Sequence, residues 1–86
     1  QGRLFSFYKK GLKNGDEIIF KDDEKITAKI VGEREVEYGG QIWKLSPLAY
    51  KLYEQRGELI ESGAYAGADY FNYKGKKFRD LPDIVN

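Results

Sequence analysis

Residues 25–43 read KITAKIVGEREVEYGGQIW, and they decide the fold. Ile26, Ala28 and Ile30 alternate with Lys25, Thr27 and Lys29, the period of two expected of a half-buried strand from Lys25 to Val31. Gly32-Glu33 reverses the chain. From Arg34 to Tyr38, Val36 and Tyr38 then alternate with Glu35 and Glu37. Gly39-Gly40 is a two-residue hairpin signal, because the favoured hairpin turns need positive φ and glycine meets no steric penalty there. Gln41 to Lys44 follows as a short strand carrying Ile42 and Trp43.

Upstream, Glu17 to Lys21 holds Ile18, Ile19 and Phe20, the β-branched and aromatic content of another strand. Asp22-Asp23-Glu24 reads as the reversal between them, completing a four-stranded antiparallel meander. Leu12 to Asp16 is a turn signalled by Asn14-Gly15. Arg3 to Lys10 fits one or two helical turns ended at Gly11, or an extended arm, since Phe5-Ser6-Phe7 also alternates. Downstream, Ser46-Pro47 predicts a helix start, with Ser46 as cap and Pro47 pre-set for the first helical position. Leu48, Ala49, Leu52 and Tyr53 form the stripe that covers the sheet. Gly57 ends this helix or lies within it, because Glu58-Leu59-Ile60-Glu61 offers a further turn. After a loop from Ser62 to Gly67, Asp69 to Tyr73 is a strand, Lys74-Gly75 a tight turn and Lys76 to Phe78 the returning strand. Asp80-Leu81-Pro82 ends the fold. The expected class is α+β: a small antiparallel sheet, made of the meander plus a C-terminal hairpin, packed by one main helix.

Eighty-six residues make one domain, spanning 1–86. The start at Gln1 and the absence of Met read as a segment of a longer protein. Thirteen aromatics, seven of them Tyr, give a globular chain enough apolar surface to offset chain entropy. There is no Cys, so disulfides and thiolate metal sites are excluded, and no His, the commonest metal ligand and near-neutral general base. No apolar run approaches the ~20 residues that span a bilayer, so no membrane partner is expected and a cytoplasmic setting is the default. Ser6, Ser46 and Ser62 lack a His base, and Glu33-Arg34-Glu35 departs from a nuclease Glu-x-Lys pattern. The expectation is a non-enzyme with no cofactor and no metal. The acidic Asp22-Asp23-Glu24 is explained by its turn and has no partner carboxylate at a diagnostic spacing.

Net charge is +1, but the charge is unevenly spread. Arg3, Lys9, Lys10 and Lys13 form an acid-free run at one end; Lys74, Lys76, Lys77 and Arg79 form another. If the ends meet, they make a basic patch. The second run adjoins Tyr70-Phe71-Asn72-Tyr73. Strand alternation puts Tyr70 and Asn72 on one side and Phe71 and Tyr73 on the other. Aromatics stack on bases, Lys and Arg neutralise phosphates, and Asn pairs with an adenine edge. The candidate nucleic-acid face is therefore Tyr70, Asn72, Lys76, Lys77 and Arg79, joined by Lys9, Lys10 or Lys13. Trp43 and Tyr38 read as packing on the hairpin, and Ser46 as a cap with an anion contact as its functional alternative.

Three stretches carry a resemblance: Gly11-Leu12-Lys13-Asn14-Gly15-Asp16, Val36 to Ala49, and Gly67 to Lys76. Their order and spacing are similar to the restriction-enzyme-and-adenine-methylase-associated (RAMA) domain of bacterial nuclease and DNA-modification proteins, over about residues 7–81. Trp43-Lys44-Leu45-Ser46 keeps the second Ser of the family's Gly-x-x-Tyr-Ser-x-Ser stretch and has Lys44 for the first. Gly67, Tyr70, Phe71 and Tyr73 occupy the region of its Gly-Trp-x-x-Trp strand without Trp. The resemblance implies a DNA-associated accessory module, proposed for that family to sense modified bases, serving a restriction–modification or nuclease protein. The alternative is a docking module that holds a neighbouring catalytic domain of the parent chain through its aromatic strand.

Overall fold

The computed structural model describes residues 6–58, 67–82 and 84, the side chain of Arg79 excepted. Among the described residues, six strands form one antiparallel sheet: β1 (Glu17–Phe20), β2 (Asp23–Ile30), β3 (Val36–Tyr38), β4 (Gln41–Trp43), β5 (Phe71–Tyr73) and β6 (Lys76–Lys77), with a single α-helix, α1 (Leu45–Gln55). The spatial order is β4-β3-β2-β1-β5-β6. The meander and the C-terminal hairpin expected from the sequence are thus joined edge to edge: β5 pairs with β1, Ile19 opposite Asn72 and Phe20 opposite Phe71. The chain reaches β5 by crossing the core face through α1 and a 3-10 turn, Gly67–Asp69.

The alternation in 25–31 holds. Ala28 and Ile30 are buried, while Thr27 and Lys29 are exposed. β2 begins earlier than the alternation suggests, because the reversal is confined to Lys21-Asp22 and Asp23 already pairs with Phe20. The register slips between Ile19 and Phe20, so Glu24, Lys25 and Ile26 are extra residues on β2. Gly39 and Gly40 have φ of 63° and 80°, the two positive values a type I′ turn requires.

α1 starts one residue before the expected cap. Lys44 is extended and is the N-cap, with no side-chain hydrogen bond; the Leu48 N–H to Lys44 carbonyl bond, 3.1 Å, opens the helix. Burial of Leu45 draws the first turn inward, and Pro47 is harmless at the third position because the N–H it lacks would have had no helical partner. Ser46 does not cap; its Oγ accepts the Gly67 N–H at 3.0 Å and so ties the second half of the chain to the helix. The far end is closed by Gly57, at φ 70°. Gly57 N–H donates to Glu54 and Glu58 N–H to Tyr53, a Schellman motif that settles the helix end at this glycine. Residues 59–66, Arg3 to Phe5 and residues 83, 85 and 86, which include the further turn, most of the loop and part of the N-terminal arm of the sequence reading, lie outside the described residues.

The core lies between α1 and one sheet face: Ile18, Phe20, Ile30, Val36 and Phe71 from the strands, Leu48, Ala49, Leu52 and Tyr53 from the helix. Phe7 and Phe78 complete it, both fully buried. Burying a side chain of this kind stabilises by about 1.5–3 kcal/mol. The N-terminal segment forms a 3-10 turn, Tyr8–Lys10, ended by Gly11 at φ 86°. Among the described residues no helix is long and apolar enough to cross a membrane.

Candidate nucleic-acid interface

Among the described residues, the segment from Phe7 to Lys10 meets the segment from Phe78 to Ile84. The Phe7 and Phe78 rings touch edge-on with centroids 5.3 Å apart. The Ile84 N–H donates to the Lys9 carbonyl at 2.7 Å, and Lys10 Nζ donates to the Leu81 carbonyl at 2.6 Å. Each basic run adjoins one of these two phenylalanines, so burial of the Phe pair is what draws the runs together. The register of β1 on β5 adds to this: it carries the Lys74-Gly75 turn to the same end of the sheet as the Lys13–Asp16 turn. Lys13, Lys74, Lys76 and Lys77 are exposed, and Lys9 and Lys10 half-buried. Lys10 is committed to the clasp on Leu81. The side chain of Arg79 lies outside the described residues.

Alternation then divides the expected face. Residues directly opposite in an antiparallel pair share a side of the sheet. Asn72 pairs with Lys77 and Tyr73 with Lys76, so Lys77 and Lys76 belong to opposite sides. On the side away from α1, one row runs Thr27–Ile19–Asn72–Lys77 across four strands and contains no acid. A second row, Ile42–Glu37–Lys29–Glu17, alternates in charge, the pattern of a solvated face. Asn72 sits in the middle of the first row with its Oδ1 shut from solvent and accepting no hydrogen bond.

Tyr70 does not share the side of Asn72. It precedes β5, held by its N–H to the Gly67 carbonyl, and the Lys21 N–H donates to its own carbonyl. Its ring packs edge-on against Tyr53 of α1 at 5.5 Å, on the core side. Lys21 Nζ stands 5.6 Å from the centre of that ring. Tyr53 in turn donates its hydroxyl to Asp22. Burial first, then that bond and the Asp22 charge, push the Tyr53 phenol well above its ordinary range. Tyr70 thus lies at the Asp22 end of the sheet, four residues and roughly 13 Å of strand from the Lys74 turn.

The acidic turn is used locally. Asp22 takes the Tyr53 hydroxyl and lies 3.8 Å from Lys21 Nζ; Asp23 accepts the Lys25 N–H at 3.0 Å. Trp43 packs against the core and its Nε1 donates to the Tyr38 carbonyl at 3.2 Å. Thr27, Ile19 and Lys21 escaped the sequence reading, because their place beside Asn72 or Tyr70 depends on the pairing of β1 with β5, for which no local signal exists. The comparison of this chain with protein-family models, curated proteins and solved structures finds no match.

Proposed function

We propose that the chain is a non-catalytic accessory domain that contacts DNA through its basic end. The observation that carries this is the clasp of Phe7 on Phe78, which draws two acid-free basic runs together in a protein of net charge only +1. Lys9, Lys13, Lys74, Lys76 and Lys77 supply phosphate contacts, and Asn72 stands beside Lys77 with only its amide nitrogen left for a base edge, its Oδ1 being shut from solvent. The motif order similar to the RAMA domain agrees with this role. Tyr70, packed against Tyr53, is left out of the contact set.

The test is a titration of a short labelled duplex by fluorescence anisotropy across about 50 to 200 mM salt. Three to five phosphate contacts give micromolar or weaker affinity near physiological salt and a log–log slope of roughly −3 to −4. Replacing Lys76 and Lys77 with Ala should flatten the slope by about two and weaken all sequences alike. The emission of Trp43, at the opposite edge of the sheet, should not change. A domain that binds no duplex even at low salt sinks the proposal.

The docking alternative changes address. β5 is an inner strand, with Phe71 buried and Tyr73 packed on the core, so it offers no exposed aromatic strand. The feature that favours docking is instead Ile42, 69% exposed on the free edge strand β4. A neighbouring catalytic domain seated there would quench or shift Trp43.

A further inference from the structure

We infer that the basic end engages duplex DNA through its phosphates and does not hold single strands by base stacking; this rests on the DNA reading above. Proteins that grip single strands combine a cationic groove with aromatic platforms, each stacked base worth about 1–3 kcal/mol. A platform needs ring faces open to solvent beside the cations. Here the rings nearest the lysines are spent on the protein itself. Phe71 and Phe78 are core. Tyr73 packs on the core, and Lys74 Nζ stands 5.4 Å from its centre. Tyr70 is covered edge-on by Tyr53 and approached by Lys21. The acid-free row Thr27–Ile19–Asn72–Lys77 has no aromatic member. Among the described residues, Tyr8 is the remaining ring next to a basic run, 39% exposed, with its hydroxyl donated to Asn14 at 2.8 Å. One ring does not seat successive bases.

Without stacking, charge density decides. Duplex DNA packs one charge into about 1.7 Å of axis, and each neutralised phosphate releases more counterion from it than from a single strand, about 0.9 against 0.7. The same lysines therefore bind duplex more tightly and with a steeper salt dependence.

The experiment titrates the intact chain against a labelled duplex and against each of its separated strands at low salt, with Tyr8→Leu and Tyr70→Leu alongside. The expected result is roughly 3- to 10-fold tighter binding of duplex than of either strand, with both variants within about twofold of the parent. Single strands binding as well as or better than duplex, or weakened by Tyr8→Leu, overturn the inference and leave the DNA reading standing. Silence from all three ligands overturns the DNA reading and the inference with it, so the two failures are told apart.

Discussion

The β3–β4 and β5–β6 hairpins are both closed by a two-residue turn with two positive φ angles. Gly39 and Gly40 make one; Lys74, at 52°, and Gly75, at 85°, make the other. Beyond the turn they diverge. The first hairpin is local: it continues a meander, ends on the free edge β4 and presents Ile42 to solvent. The second is bound into the protein by distant residues: Phe71 against Phe20, Phe78 against Phe7, and Gly67, at its approach, against Ser46. Its edge strand carries only lysines, which also discourage edge-to-edge association. The same backbone device thus serves a free edge in one place and a clasped basic end in the other.

The largest expected break in that comparison comes at the clasp. Phe78→Ala should cost about 3–5 kcal/mol, because a fully buried ring is lost and with it the edge-on contact to Phe7. Trp43→Ala, at a half-buried position, should cost no more than about half of that. Denaturant midpoints of the two variants decide it, and equal losses would erase the distinction between the hairpins.

Gly67→Ala comes next. A Cβ there would stand 2.5 Å from Leu45 Cβ and 2.5 Å from the Ser46 nitrogen, so the approach to β5 must move off the helix. A loss of about 1–3 kcal/mol is expected. Gly40→Ala meets no neighbour within 4 Å and should register only its backbone strain.

Asn72→Val should act in the opposite direction. It removes a buried, unpaired carbonyl oxygen and puts a β-branched residue in a strand, for a gain of about 1 kcal/mol. In the DNA titration the same variant should bind more weakly. Greater stability with unchanged binding would remove Asn72 from the contact set.

Tyr53 gives a pH test. Its phenol titrates higher in the folded chain than in the unfolded one. The stability it lends is therefore complete below the unfolded value, roughly pH 10, and is lost as pH rises toward the folded value. Thermal melts should show an alkaline decline that begins near pH 10 and is blunted in Tyr53→Phe.

The smallest effect is expected at Lys74→Gly. Relief of a left-handed lysine, about 1–2 kcal/mol, is partly offset by the entropy glycine brings to the unfolded chain, about 0.4–1 kcal/mol. A small rise in midpoint, under about 1 kcal/mol, with a slightly flatter salt slope for DNA, is the expected pair of readings.

Local patterns in the chain were enough for the meander, both tight turns and the helix stripe. Alternation such as Ile26-Ala28-Ile30 and pairs such as Gly39-Gly40 act through neighbours in sequence, where sterics and the two-residue period leave few choices. The start of α1 was less legible, since Ser46 looks like a cap until Leu45 needs burial and Gly67 claims the hydroxyl. The juxtaposed ends needed the tertiary fold: Phe7 and Phe78 lie 71 residues apart in the chain, and no local preference encodes their contact. The expected single face failed for the same kind of reason. Alternation puts Tyr70 with Asn72, but it operates only inside a strand, and β5 begins at Phe71. Once outside the ladder, the Tyr70 ring was free to follow burial, and it turned to Tyr53 on the helix.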